Sequence, residues 1–218
     1  MFLVLSEGAR DIGDGASEGA VRVLARRVLS MHMGRELAEW EVPGAPLPRP
    51  HHSELGPLKR MRLVLSTMKL FGAKAVAVVV DNDHTTGRLE AWQKARATLE
   101  VAEGAKPVAF GVAVETVEAW LLADESAIND SLAPEPRMAP ISAPEDLWGK
   151  PRTEGHPKSL FTGQIGRATH TLEAPYDAVA SRLRLAHVEA RCPSFKAFVD
   201  ELRAVCVRLR APTAPAKE

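Results

Sequence analysis

Apolar positions along the chain fall into two rhythms. Three short runs are continuous: FLVL at Phe2–Leu5, AVAVVV at Ala75–Val80 and VAFGVAV at Val108–Val114. Unbroken runs of this kind, rich in β-branched residues, predict strands covered on both faces, as in a parallel sheet. Between them the spacing changes to three and four. Val21, Leu24, Val28 and Met31 predict a helix over about 16–31, with Asp14 or Ser17 as its cap. Leu58, Met61, Leu65 and Met68 predict a second, ending near Phe71-Gly72, and Leu89, Trp92 and Leu99 mark a third. With one more strand between the first two helices, strands and helices alternate. The fold class expected is α/β, a mainly parallel central sheet flanked by helices in the Rossmann manner.

Beyond Asp124 the pattern changes. Proline and alanine dominate from Leu132 to Pro157, which predicts a long irregular segment. Helices are expected at 158–169, 176–189 and 194–209. The domain organisation that follows is an α/β core over 1–130, the Pro-rich segment over 131–157, a helical extension packed on the core over 158–210, and a disordered tail over 211–218. A second Pro-rich stretch, VPGAPLPRPHH, interrupts regular structure between Val42 and His52. Neither internal repeats nor heptads occur.

Composition narrows the function without choosing it. The 28 basic and 28 acidic residues of the 218 cancel, so no global field draws the chain to nucleic acid or membrane. Cys192 and Cys206 lack metal-ligand spacing and are expected as reduced thiols. The first charge comes at Glu7, too early for a signal peptide, and no apolar run approaches a bilayer's width. A cytoplasmic protein without a membrane partner is expected.

The strand ends carry the chemistry. Functional groups in parallel α/β sheets gather at the carboxyl ends of the strands. Glu7 follows the first run, Asp81 and Asp83 follow AVAVVV, and Glu115 follows VAFGVAV, with Glu118 and Asp124 beyond. Alternation puts Asp81 and Asp83 on one side of the strand. Carboxylates brought that close require compensation, and a hard cation, Mg²⁺ or Mn²⁺, is the natural one. Such a set suits phosphoryl transfer or phosphodiester hydrolysis. Arg10 and Arg88 lie in loops beside the acids, and Lys158 opens a helix; all three are candidate contacts for substrate phosphates. Trp92 and Trp120 sit at core spacing. His51, His52 and His84 lack the further ligands a zinc site needs.

Glu7 within LSEG, followed later by VVVDND, resembles the Toprim pattern of topoisomerases, primases and old-type nucleases. More narrowly, LSEG, GVAVETVEAWLLAD and CPSFKAFVDEL resemble a prokaryotic Toprim-like family of unknown function, often encoded beside ATPases. The resemblance implies a Toprim fold in which Glu7 is a general acid/base or metal ligand and Asp81 and Asp83 hold Mg²⁺. Glu118 is implied as a further acid, with Glu115 as the alternative. It implies a Mg²⁺-dependent nuclease acting with an ATPase partner in genome or phage defence, with nucleic acid as substrate. The usual opening acid is absent after Glu7-Gly8, where Asp11 or Asp14 would substitute.

Two other readings stand beside it. A non-catalytic Toprim-fold subunit of an ATPase would use the Pro-rich segment and the helical end for docking. The stretch DNDHT also fits the Asp-x-Asp-x-Thr pattern of haloacid-dehalogenase-like phosphatases, with Asp81 as the nucleophile. There the motif normally ends the domain's first strand, whereas here it lies some eighty residues in.

Overall fold

The structure, a computed structural model, describes residues 1–13, 17–48, 56–82, 87–103, 107–147, 153–170 and 174–210. Its centre is a four-stranded, all-parallel sheet in the order β2-β1-β3-β4. The strands are β1 (Phe2–Ser6), β2 (Gly44–Pro46), β3 (Ala75–Asp81) and β4 (Val108–Ala113). The helices in chain order are α1 (Ala9–Ile12), α2 (Ala20–Met33), α3 (Pro57–Leu70), α4 (Arg88–Glu103), α5 (Glu118–Leu122), α6 (Glu125–Leu132), α7 (Pro157–Gly166), α8 (Pro175–Arg182), α9 (Leu185–Arg191) and α10 (Pro193–Arg210). The expected α/β class is the observed one.

Alternation along the strands divides the interior in two. Phe2, Val4, Ala75, Ala77, Val79 and Ala109 face a core shared with α2, α5 and the C-terminal helices. Leu3, Leu5, Val76, Val78, Val80 and Phe110 face a smaller core under α3 and α4. The first face is lined by small residues, so α10 lies close. A Cβ at Gly111 would stand 2.9 Å from the Phe198 ring. Trp120, fully buried, stacks on Phe198 at 5.7 Å and meets Phe195 edge-on at 5.2 Å. Each such aromatic pair adds roughly 0.5–1.5 kcal/mol beyond its burial.

Several expectations need correction. The Pro-rich stretch contains the edge strand β2, where Leu47 N–H donates to the Ser6 carbonyl at 2.7 Å and Val4 N–H to that of Pro43 at 2.9 Å. Proline is tolerated there because an edge strand leaves one side unpaired. Helix α2 starts at Ala20 behind Gly19, not behind Ser17; Asp14 lies outside the described residues. Met31, at the end of α2, is exposed rather than part of the core. The single helix expected over 176–189 is two, α8 and α9, broken at Leu183 and Arg184. Residues 211–218 and the histidines His51, His52 and His84 lie outside the described residues.

Candidate functional site at the carboxyl edge of the sheet

Because all four strands run the same way, their carboxyl ends share one edge. β3 lies between β1 and β4, with Ser6 opposite Val79 and Ala113 opposite Asp81. Glu7 therefore leaves β1 beside the exit of Asp81 from β3, and Glu115 follows β4 on Asp81's other side. Arg88, the first residue of α4, joins the first two. It donates through Nη2 to Glu7 Oε1 at 2.6 Å and through Nη1 to the Asp81 carbonyl. Arg60 of α3 approaches the same Glu7 oxygen at 3.8 Å. The Asp81 carboxylate accepts a hydrogen bond from Val117 N–H at 3.0 Å, tying β3 to the loop before α5. In that loop Glu115 is buried at a left-handed φ of 60°, a conformation costly for a residue with a Cβ. Thr116 is also buried, and no described residue hydrogen-bonds its hydroxyl.

A second group of side chains lies on the α1 side of Glu7. The Asp11 carboxylate accepts from Ser6 Oγ at 2.7 Å and from Gly8 N–H at 3.2 Å. Gly8 permits this closeness, since a Cβ there would lie 2.6 Å from Asp11 Oδ2. Burial pushes the Asp11 carboxyl up to about 6; the nearby charge of Glu118 adds to the rise and the Lys158 ammonium opposes it. Glu118, at the start of α5, is buried and accepts from the Tyr176 hydroxyl at 3.0 Å. Arg10 donates to the same hydroxyl at 3.3 Å and lies over the ring at 5.5 Å. Burial, then the Glu118 charge, pushes the Tyr176 phenol up. Bonding to Tyr176 pushes the Arg10 guanidinium up as well.

The structure thus gathers Glu7, Asp81, Arg88, Glu115, Glu118, Arg10 and Lys158 around one edge. Asp83 lies outside the described residues. Asp124 does not join them. It is wholly buried at the far end of α5, caps α6 through Ala127 N–H, and accepts three hydrogen bonds from Arg184. With Glu125 and His187 it places three potential ligand atoms within 4.8 Å of one another. Both acids there are already paired, with Arg184 and Arg191. Tyr176, Arg60 and Thr116 had no sequence signal, because each reaches the site from a distant element without a motif of its own.

An α/β protein with a parallel sheet and an acid-and-arginine edge is the class these features define. Residues 33–203 match the family described as a domain of unknown function, DUF4276, and the chain belongs to that family. No curated protein and no solved structure matches it. Cys192 and Cys206 are buried free thiols, and burial pushes both up. No described helix is long and apolar enough to cross a membrane.

Proposed function

We propose that this protein is a Mg²⁺-dependent phosphodiesterase of Toprim type that cleaves nucleic acid and works with an ATPase partner. The observation that carries the reading is the meeting of Glu7 and Asp81 at neighbouring strand ends, bridged by Arg88. The resemblance of LSEG and VVVDND to the Toprim pattern supports the nuclease chemistry, and the partner rests alone on the resemblance of LSEG, GVAVETVEAWLLAD and CPSFKAFVDEL to a Toprim-like family often encoded beside ATPases.

The donor set suits a hard cation. Glu7 and Asp81 offer carboxylate oxygens at the ends of neighbouring strands. Asp83 would complete the pair of the motif. A bound Mg²⁺ or Mn²⁺ would supply Lewis acidity toward the phosphoryl group. The chain's own residues do the rest. Arg88 and Arg60 hold the Glu7 carboxylate in place, and Glu7 is the group to take a proton from the attacking water. Asp11, its carboxyl raised to about 6 by burial, would be the group to hand a proton to the leaving group. Arg10 and Lys158, both exposed, would flank the substrate's phosphates.

One observation favours a second reading, a non-catalytic subunit: Arg88 and Tyr176 already engage Glu7 and Glu118. A single assay separates the two. The chain is incubated with single-stranded and duplex DNA, RNA and a bis-aryl phosphate in Mg²⁺ or Mn²⁺. Metal-dependent cleavage that falls about a hundredfold or more in both Glu7→Gln and Asp81→Asn is expected. No cleavage of any substrate, or cleavage unchanged in both variants, refutes the enzyme.

A further inference from the structure

We infer that Tyr176, at the start of α8, is a positioning residue of the substrate site, holding the Arg10 guanidinium ready for a phosphate of a nucleic-acid strand. The inference rests on the reading of this edge as a nucleic-acid site, and it makes the helical extension part of that site.

Arg10 belongs to α1, a single turn of four residues, and it is exposed. An exposed arginine samples many rotamers, and fixing it against a phosphate costs that freedom. Here the side chain is held beforehand. Its Nη1 donates to the Tyr176 hydroxyl at 3.3 Å, and the guanidinium lies over the ring at 5.5 Å. A guanidinium carries five N–H donors, and no described residue other than Tyr176 hydrogen-bonds those of Arg10. The remaining donors are open to an anion.

The phenol is arranged for this task. Its one proton goes to Glu118 Oε1 at 3.0 Å, and a carboxylate only accepts, so the phenol oxygen offers its lone pairs to Arg10. Burial pushes the phenol up, so it keeps that proton. The ring is fixed as well. It is buried, and Phe161 of α7 meets it edge-on at 4.8 Å. The next residue, Asp177, accepts from Glu18 N–H at 2.5 Å and Gly19 N–H at 2.7 Å, which ties the first turn of α8 to the chain before α2. A phenylalanine at 176 would pack in the same place but leave Arg10 without its acceptor. The hydroxyl therefore separates positioning from packing.

The test measures binding of short fluorescein-labelled DNA and RNA strands by anisotropy, with Ca²⁺ in place of Mg²⁺. Arg10→Ala and Tyr176→Phe should each weaken the bound strand about tenfold. The double variant should be no weaker than Arg10→Ala alone, because Tyr176 acts through Arg10. A second measurement leaves Tyr176 in place. It is the chain's single tyrosine, so fluorotyrosine labelling puts one reporter at this position. Its fluorine resonance should move when the strand is added to the native chain and stay still in Arg10→Ala. Native affinity in Tyr176→Phe, losses that multiply in the double variant, or a resonance that moves equally in Arg10→Ala overturns the inference. So does a native chain that binds neither strand. Coupled binding without cleavage in Mg²⁺ would uphold the inference and remove the enzyme, whereas cleavage without coupling would do the reverse.

Discussion

Glu7 Oε1 accepts a hydrogen bond from Arg88 Nη2 at 2.6 Å, across 81 residues of sequence. A cation in the first turn of a helix opposes the helix dipole, so Arg88 is held there by the Glu7 carboxylate and the Asp81 carbonyl and not by α4. Both side chains are substantially covered, at 15% and 29% exposure. This pairing brings the LSEG loop and the end of β3 into one site. Arg88→Ala should lower unfolding free energy in urea by about 1–3 kcal/mol, because a partly buried carboxylate loses its partner. Arg88→Lys should restore only part, since one ammonium cannot reproduce the two-pronged contact.

Asp11 should leave a signature in the pH dependence of stability. Its carboxyl is raised from 3.8 to about 6 in the folded chain. A group that binds its proton more tightly when folded stabilises most in acid, and that contribution is lost as pH rises from about 4 to 6. Asp11→Asn keeps an oxygen for Ser6 Oγ and Gly8 N–H but cannot ionise. Relative to the native chain, the variant should therefore gain about 2 kcal/mol between pH 4.5 and pH 7, measured by urea unfolding at both. A constant difference between the two chains would show that Asp11 does not titrate in this window.

Gly8→Ala tests why glycine follows Glu7. The new Cβ would meet Asp11 Oδ2 at 2.6 Å, and a carboxylate is more easily displaced than the backbone. Asp11 should swing away, losing the bonds to Ser6 and Gly8 at a cost of about 1–2 kcal/mol. Carboxyl NMR titration should then find its pKa moving down toward the ordinary carboxylate range. An unmoved pKa would mean that Asp11 stays buried.

Asp124 should behave as a structural residue. Its carboxylate caps α6 and holds the Arg184 backbone and guanidinium together. Asp124→Ala should cost about 2–4 kcal/mol, with Asp124→Asn milder. Any nuclease activity should persist in folded Asp124→Asn. Selective loss of activity at unchanged stability would return this residue to the site.

The sequence was legible where a local pattern was sufficient. Strands β1, β3 and β4 are fixed by runs that can only be buried on both faces, and the acids follow those runs directly. β2 was harder, because three residues of Gly-Ala-Pro carry no strand pattern and depend on the edge of β1. The break between α8 and α9 has no glycine or proline to announce it. It arises because Arg184 N–H donates to Asp124, a bond across 60 residues that competes with helix continuation. Tyr176 is the chain's single tyrosine, and its bond to Glu118 spans 58 residues. A lone residue at a helix start cannot disclose such a partner. Asp11 lies between these cases. Its bonds to Ser6 and Gly8 are local, but the burial that raises its pKa comes from the fold.

The proposed binding of a divalent cation by Glu7 and Asp81 can be read from anomalous diffraction of a Mn²⁺-soaked crystal. A peak is expected at the carboxyl ends of β1 and β3, ligated by oxygens of both residues and absent in Asp81→Ala. Manganese found only elsewhere, such as at Asp124, Glu125 and His187, or no peak at the strand ends, would contradict it.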